Sequence, residues 1–174
     1  MTAPELETFL HERIPLSRAM QVTVHEASPR QVVLGIPLLP NINHQDTVFG
    51  GSASALAILA AWSLLHTKLA AAGYKTRLVI QRNTMSYEQP IMGNFTARAL
   101  APAGDAWGAF TRMLERKGRA RISVSSTLWY EGHEVGHFEG DFVALGKTGA
   151  SQEIDAQSSA AAERDSGVET DRPG

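Results

Sequence analysis

Between Ala53 and Leu65 the chain is apolar at nearly every position, broken only by Ser54 and Ser63. A helix drawn through Ala55, Leu56, Ile58, Leu59, Ala60, Ala61, Trp62, Leu64 and Leu65 has almost no polar face over its first half. Such a helix must be wrapped on several sides, and its alanines let a sheet approach closely. Gly50-Gly51-Ser52 leads into it and Gly73 supplies its C-terminal stop. Around this helix the period changes. Met20 to Glu26 and Arg30 to Leu38 are β-rich runs separated by Ser28-Pro29, the pattern of a hairpin. Further strands are predicted over Thr76 to Tyr87, Asn94 to Ala101, Arg119 to Tyr130 and Glu134 to Leu145. Gln89-Pro90, Met92-Gly93 and Glu131-Gly132-His133 break them. Ala106 to Lys117 fits either a strand or a short helix. Pro4 to Arg13 reads as a short helix, with proline early, acids in the first turn, and Leu6, Phe9 and Leu10 on one face.

The order is therefore helix, two strands, long buried helix and about four strands, with no internal repeat. This predicts an α+β fold, a single domain in which a curved antiparallel sheet wraps one central helix. Residues 1–146 form that domain. From Lys147 to Gly174 there are no aromatics, and Ile154 and Val168 are the only large aliphatics. A segment of that composition cannot bury enough surface to offset its ordering entropy, so 147–174 is expected to be a disordered acidic tail. Its six acids against Lys147, Arg164 and Arg172 give −3, which leaves +1 for residues 1–146 of a chain whose net charge is −2.

Those charges offer no field for nucleic acid. The apolar run falls short of the ~20 residues a bilayer span needs, so no membrane partner is expected. Met1 to Arg13 carries Glu5, Glu7 and Glu12 and lacks the pattern of a signal peptide. Cysteine is absent, which removes disulfides, thiolate catalysis and cysteine-bound metal, and fits a reducing cytoplasm.

The candidate chemistry lies in Asn41-Ile-Asn43-His44-Gln-Asp46-Thr47-Val-Phe49-Gly50-Gly51-Ser52. Two glycines at a helix start admit a ligand close to the backbone. The free N–H groups there and the helix dipole favour an oxygen that gains negative charge. Such stabilisation contributes roughly 3–4 kcal/mol in acyl-transfer sites. Asn43 first and Asn41 second could donate amide hydrogen bonds to the same oxygen. Phe49, Gly50, Gly51 and Ser52 form the expected substrate-binding edge. The alternative is purely structural: glycines and asparagines shape a turn and cap a helix, with Thr47 and Ser52 as cap residues.

Pro40 to Ala57 resembles the core of the YiiD C-terminal family of thioesterase-like hotdog proteins, as do Leu10 to Met20 and Tyr87-Glu-Gln-Pro90. The resemblance spans most of residues 9–145. It implies a hotdog fold and a homodimer or dimer of dimers in the cytoplasm. It also implies a thioester substrate on acyl carrier protein or coenzyme A, held in the interface beside the helix N-terminus. The phosphopantetheine or coenzyme A arm comes with the substrate, so no separate cofactor is expected.

The broader thioesterase superfamily often has an Asn, a His-Gly-Gly and an acid about two turns into the helix. Here Asn43 matches the Asn, Phe49 replaces the His, and the acid falls around Ile58 or Leu59. No Asp or Glu occurs between Thr47 and Leu78. Hydrolysis needs activated water or a covalent nucleophile. The candidates for activating water are His44 and Asp46, although a loop His or Asp is commonly a turn residue. Decarboxylation of a malonyl thioester needs only a stabilised enolate, and the resembled family includes malonyl-acyl carrier protein decarboxylases that prime fatty-acid synthesis. The leading expectation is thus malonyl-acyl carrier protein decarboxylation, with acyl-thioester hydrolysis second and a non-catalytic acyl-thioester module third.

Other signals are discounted. His133-Glu134-Val135-Gly136-His137 matches a zinc motif that requires a helix, whereas Gly132, Gly136 and Gly140 amid aromatics indicate a hairpin. No metal is expected. Arg112, Arg116, Lys117, Arg119 and Arg121 could receive phosphates or an acidic carrier, or simply protect a sheet edge. Trp62 and Trp107 are expected in the core, and His11, His25 and His66 at the surface.

Overall fold

The long apolar helix, α3 (Gly50–Ala71), is the axis of the molecule. Its residues Leu56, Ala57, Ala60, Ala61, Leu64 and Leu65 are fully buried. It packs on strands β2 (Gln31–Ile36), β4 (Phe95–Leu100), β5 (Arg119–Tyr130), β6 (His133–Gly146) and β3 (Thr76–Tyr87), which explains why it has no polar side. By length and composition α3 could cross a membrane, but its place is the centre of the core. Ala57 brings the backbones so close that the Ser126 hydroxyl of β5 donates to the Ala57 carbonyl at 2.8 Å. The helix ends where expected: Gly73 takes φ +79°, and the Gly73 and Tyr74 amides close on the Ala70 and Leu69 carbonyls.

The structure is a computed structural model that describes residues 1–146; the acidic tail expected over 147–174 lies outside the described residues. The six strands, with β1 (Thr23–Ala27), form one antiparallel sheet in the order β1-β2-β4-β5-β6-β3. A curved sheet closed around one helix is the hotdog arrangement. β5 and β6 meet at Glu131-Gly132, both at positive φ, a tight two-residue hairpin turn. His133 and His137 consequently lie on a strand, where residues four apart are about 13 Å distant rather than one helical turn.

At the N-terminus, α1 (Ala3–Arg13) opens with a reciprocal capping box. The Thr2 amide donates to Glu5 at 2.7 Å, and the Glu5 amide to the Thr2 hydroxyl. Leu6 and Leu10 seat it on the core, and a short α2 (Pro15–Ala19) follows. The ambiguous stretch is α4 (Ala106–Lys117). Phe110 and Leu114 are buried one turn apart, Trp107 packs beside them, and Gly118 at φ +64° ends the helix. α4 stands beyond the end of β4, alongside the half of β5 that β4 is too short to reach.

Candidate active site at the mouth of the central helix

The loop before α3 is closed by its own backbone. Asn43 N–H donates to the Thr47 carbonyl at 2.8 Å, Ile42 bridges Val48, and Phe49 N–H donates to the Asn41 carbonyl at 2.7 Å. Val48 N–H reaches the Ile91 carbonyl at 2.8 Å, which ties the loop to the segment after β3. The chain then turns into α3 with Phe49 as its N-cap, and no side chain caps the helix. The first backbone bond is Ala53 N–H to the Phe49 carbonyl, so the Gly50, Gly51 and Ser52 amides precede the ladder. With no acid between Thr47 and Leu78, no carboxylate of α3 offsets the positive end of its dipole.

Beside this turn lies a cleft of about 300 Å³ lined by Val48, Gly50, Ala53, Tyr87, Glu88, Gln89, Pro90 and Ile91. Val48, Ala53 and Ile91 are buried and form its apolar part. Tyr87 ends β3 with its ring against Gly50, and its hydroxyl donates to the Gly50 carbonyl at 3.1 Å. The Phe49 ring rests on Gly51, so close that a Cβ there would stand 2.8 Å from the ring's Cζ. Larger depressions of about 690, 620 and 430 Å³ lie elsewhere, lined by α4 with β5, by strands β1, β2 and β4, and by β3 with β5 and β6. None of them includes a residue of the α3 mouth.

The side-chain amides of the loop are engaged internally. Asn41 is 2% exposed, and its nitrogen donates to the Met20 and Pro37 carbonyls at 3.0 and 2.8 Å. Asn43 is also committed. Its nitrogen donates to the Thr47 hydroxyl at 2.9 Å and the Val48 carbonyl at 3.3 Å, while its oxygen accepts from the Gln45 and Thr47 amides. Backbone donors on the oxygen and acceptors on the nitrogen fix the orientation of this amide. Both asparagines therefore brace the loop and its surroundings, and the donors left at the mouth are the backbone amides of Gly50, Gly51 and Ser52. His44 and Asp46 sit exposed on the turn, Asp46 at φ +59°, and neither lines the cleft. Gly50 lines the cleft, Phe49 and Gly51 are its chain neighbours and lie against each other, and Ser52 occupies the third position of the uncapped turn.

Tyr87 and Glu88 line the cleft but are not among the expected site residues. In the sequence they stand out only as the end of β3 and as part of the family-like stretch Tyr87-Glu-Gln-Pro90. Nothing in a strand pattern says that its last residue meets a glycine 37 positions earlier.

Of the discounted residues, Trp62 packs on the core and bonds the Leu78 carbonyl at 3.1 Å, and Trp107 packs on it from α4. His66 is half-buried rather than at the surface. It stacks against both Phe9 and Trp62 with ring centres 4.8 Å from each, these two rings lying 6.2 Å from one another, and burial pushes its pKa down. Asp141, on the sheet's far face, is held below the usual carboxylate range by the Ser123 hydroxyl and then by Arg82.

Comparison with known proteins agrees with this architecture. A protein of unknown function from Chlorobaculum tepidum TLS superposes with a TM-score of 0.78 at 27% identity, covering 83% of this chain and 94% of that one. A structure described as a putative thioesterase from Shewanella oneidensis gives 0.74 at 22% identity, covering 82% and 96%. A thioesterase from Haemophilus influenzae gives 0.66 at 11%, covering 84% and 92%. At the two lower identities the likeness is one of fold. The family model described as "Putative thioesterase (yiiD_Cterm)" matches residues 3–146, and the chain belongs to that thioesterase-like hotdog family.

Proposed function

We propose that this protein decarboxylates a malonyl thioester, carried on acyl carrier protein or coenzyme A, at the mouth of α3. The observation that supports this most is the uncapped turn Gly50-Gly51-Ser52 opening beside a partly apolar cleft, on a helix without acids. In the reaction the bond between malonyl C2 and its carboxylate breaks. Its electron pair forms an enolate whose charge rests on the thioester oxygen, and carbon dioxide leaves. A proton from water then adds to C2 and yields the acetyl thioester. The step needs donors on the oxygen and no catalytic base, and each well-placed donor is worth roughly 3 kcal/mol. The buried side chains of Val48, Ala53 and Ile91 disfavour the charged carboxylate relative to neutral carbon dioxide.

The active unit is a homodimer in the cytoplasm, where both carriers reside. β3 is a twelve-residue edge strand whose outer side has no partner among the described residues, and it ends at the cleft. Antiparallel pairing of two such edges about a two-fold axis would cover both strands and enclose each cleft. Dimers of dimers would add a second interface. The substrate supplies the pantetheine arm, and no other cofactor is required.

Glu88 in the cleft wall favours a second reading, thioester hydrolysis. There its carboxylate would activate a water that attacks the thioester carbon, the carbon–sulfur bond breaks, and the thiol departs with the proton. Incubation with malonyl-acyl carrier protein separates the two. Decarboxylation gives acetyl-acyl carrier protein by intact mass with no free thiol, and hydrolysis gives free thiol and malonate. Neither product, despite binding, would reduce the protein to an acyl-thioester module.

A further inference from the structure

Phe49 breaks two local rules at once. Helix N-caps favour Ser, Thr, Asp or Asn, and replacing one of these by an apolar residue costs about 1 kcal/mol. Phe49 instead leaves the first turn uncapped and exposes 56% of an aromatic residue. Its ring does not turn into the core, although apolar Val48 beside it is buried; it lies back on Gly51, occupying the space a Cβ would need. On the adjacent residue the ring of Tyr87, also 56% exposed, rests on Gly50 and is tied there by its hydrogen bond. Two exposed aromatic rings thus lie on the turn that carries the unladdered amides. Residues that contradict local preference without a structural gain are those on which function is expected to act.

We infer that Phe49, with Tyr87 on the neighbouring glycine, determines which reaction the site performs, acting as a flap that keeps water from the thioester carbon. This rests on the proposed thioester chemistry and specifies how it is steered. A thioester oxygen held by the Gly50, Gly51 and Ser52 amides has its carbonyl carbon activated for any nucleophile, so stabilisation alone would promote hydrolysis as well as decarboxylation. Hydrolysis further needs a water at that carbon, and Glu88 in the cleft wall is a base that could activate one, so keeping water away favours decarboxylation. Gly51 serves this role because any larger residue would push the Phe49 ring off the turn. The ring is the free end of a flexible side chain, so the displacement is easy.

The test uses the full chain and malonyl-acyl carrier protein, with acetyl product and free thiol measured together. Wild type is expected to give acetyl product with little thiol. Phe49→Ala and Gly51→Ala, the first removing the ring and the second displacing it, should each raise the thiol share roughly tenfold, which corresponds to a small change in relative barrier. Phe49→Leu should fall between them and wild type. Gly51→Ala also improves helix propensity, so it remains informative if Phe49→Ala folds poorly. An unchanged ratio in variants that still turn over would overturn the flap while leaving the thioester reading intact. Thiol release as the main wild-type reaction would do the same, and no turnover of either kind would remove both.

Discussion

Asn41 and Asn43 show what a side-chain amide is for once its surroundings are known. Asn43 spends its N–H groups within the loop and Asn41 ties the loop to Met20 and Pro37, in a buried position where an unmet backbone carbonyl is costly. Asn41→Ala would leave the Met20 and Pro37 carbonyls without this donor. It is expected to lower stability by about 2–3 kcal/mol. Asn43→Ala, at the half-exposed turn, should cost about 1–2 kcal/mol by the same reasoning. Denaturant unfolding measures both. A large loss of activity from either variant with no loss of stability would instead assign that amide to the substrate. The sequence displays the amides and their spacing, but not that the partners of Asn41 lie at positions 20 and 37.

Among the elements, α3 was legible because its composition left one solution, burial on all sides, and its glycine boundaries are local signals. β3 and β5 were legible for the same kind of reason, since β-rich runs bounded by turn residues form strands wherever they pack. α4 was ambiguous because its apolar residues are few, and its place beyond the short β4 decides between helix and strand. The stack of Phe9, His66 and Trp62 joins α1 to α3 and was not legible, as it depends on how two helices cross. It carries a pH dependence. Burial lowers the His66 pKa from the ordinary value of 6.5, so the folded state disfavours the cation. Stability from this site is complete above the unfolded pKa. It is lost as pH falls through about 6.5 towards the lower native value, because the unfolded chain takes the proton first. His66→Phe keeps an aromatic ring and removes the titration. Between about pH 7 and pH 5 wild type should therefore lose more stability than the variant, and parallel melting curves would contradict this.

For the molecule as a whole, the fold places Tyr87 and Glu88 of one sheet edge beside the opening of the central helix, so the proposed site lies at the boundary of the protomer. The proposed dimer follows from that position. Sedimentation should give twice the chain mass at micromolar concentration. Val79→Asp would place a charge on the 42%-exposed edge residue, and it should shift the protein towards monomer and lower turnover together. A monomeric wild type with full activity would show that one protomer suffices. The glycine pair and the free N–H groups at the helix start could be read from the sequence, whereas the internal bonds that engage the Asn41 and Asn43 amides could not, because their partners are set by the folded loop and its neighbours.

The central claim is that the amides of Gly50, Gly51 and Ser52 hold the thioester oxygen. Backbone amide NMR during titration with a malonyl-pantetheine amide, which resists both reactions, tests it directly. The account predicts that the largest saturable shifts fall on Gly50, Gly51 and Ser52, with Tyr87 and Glu88 following. Shifts concentrated in the groove between α4 and β5, with those three amides unmoved, would contradict it.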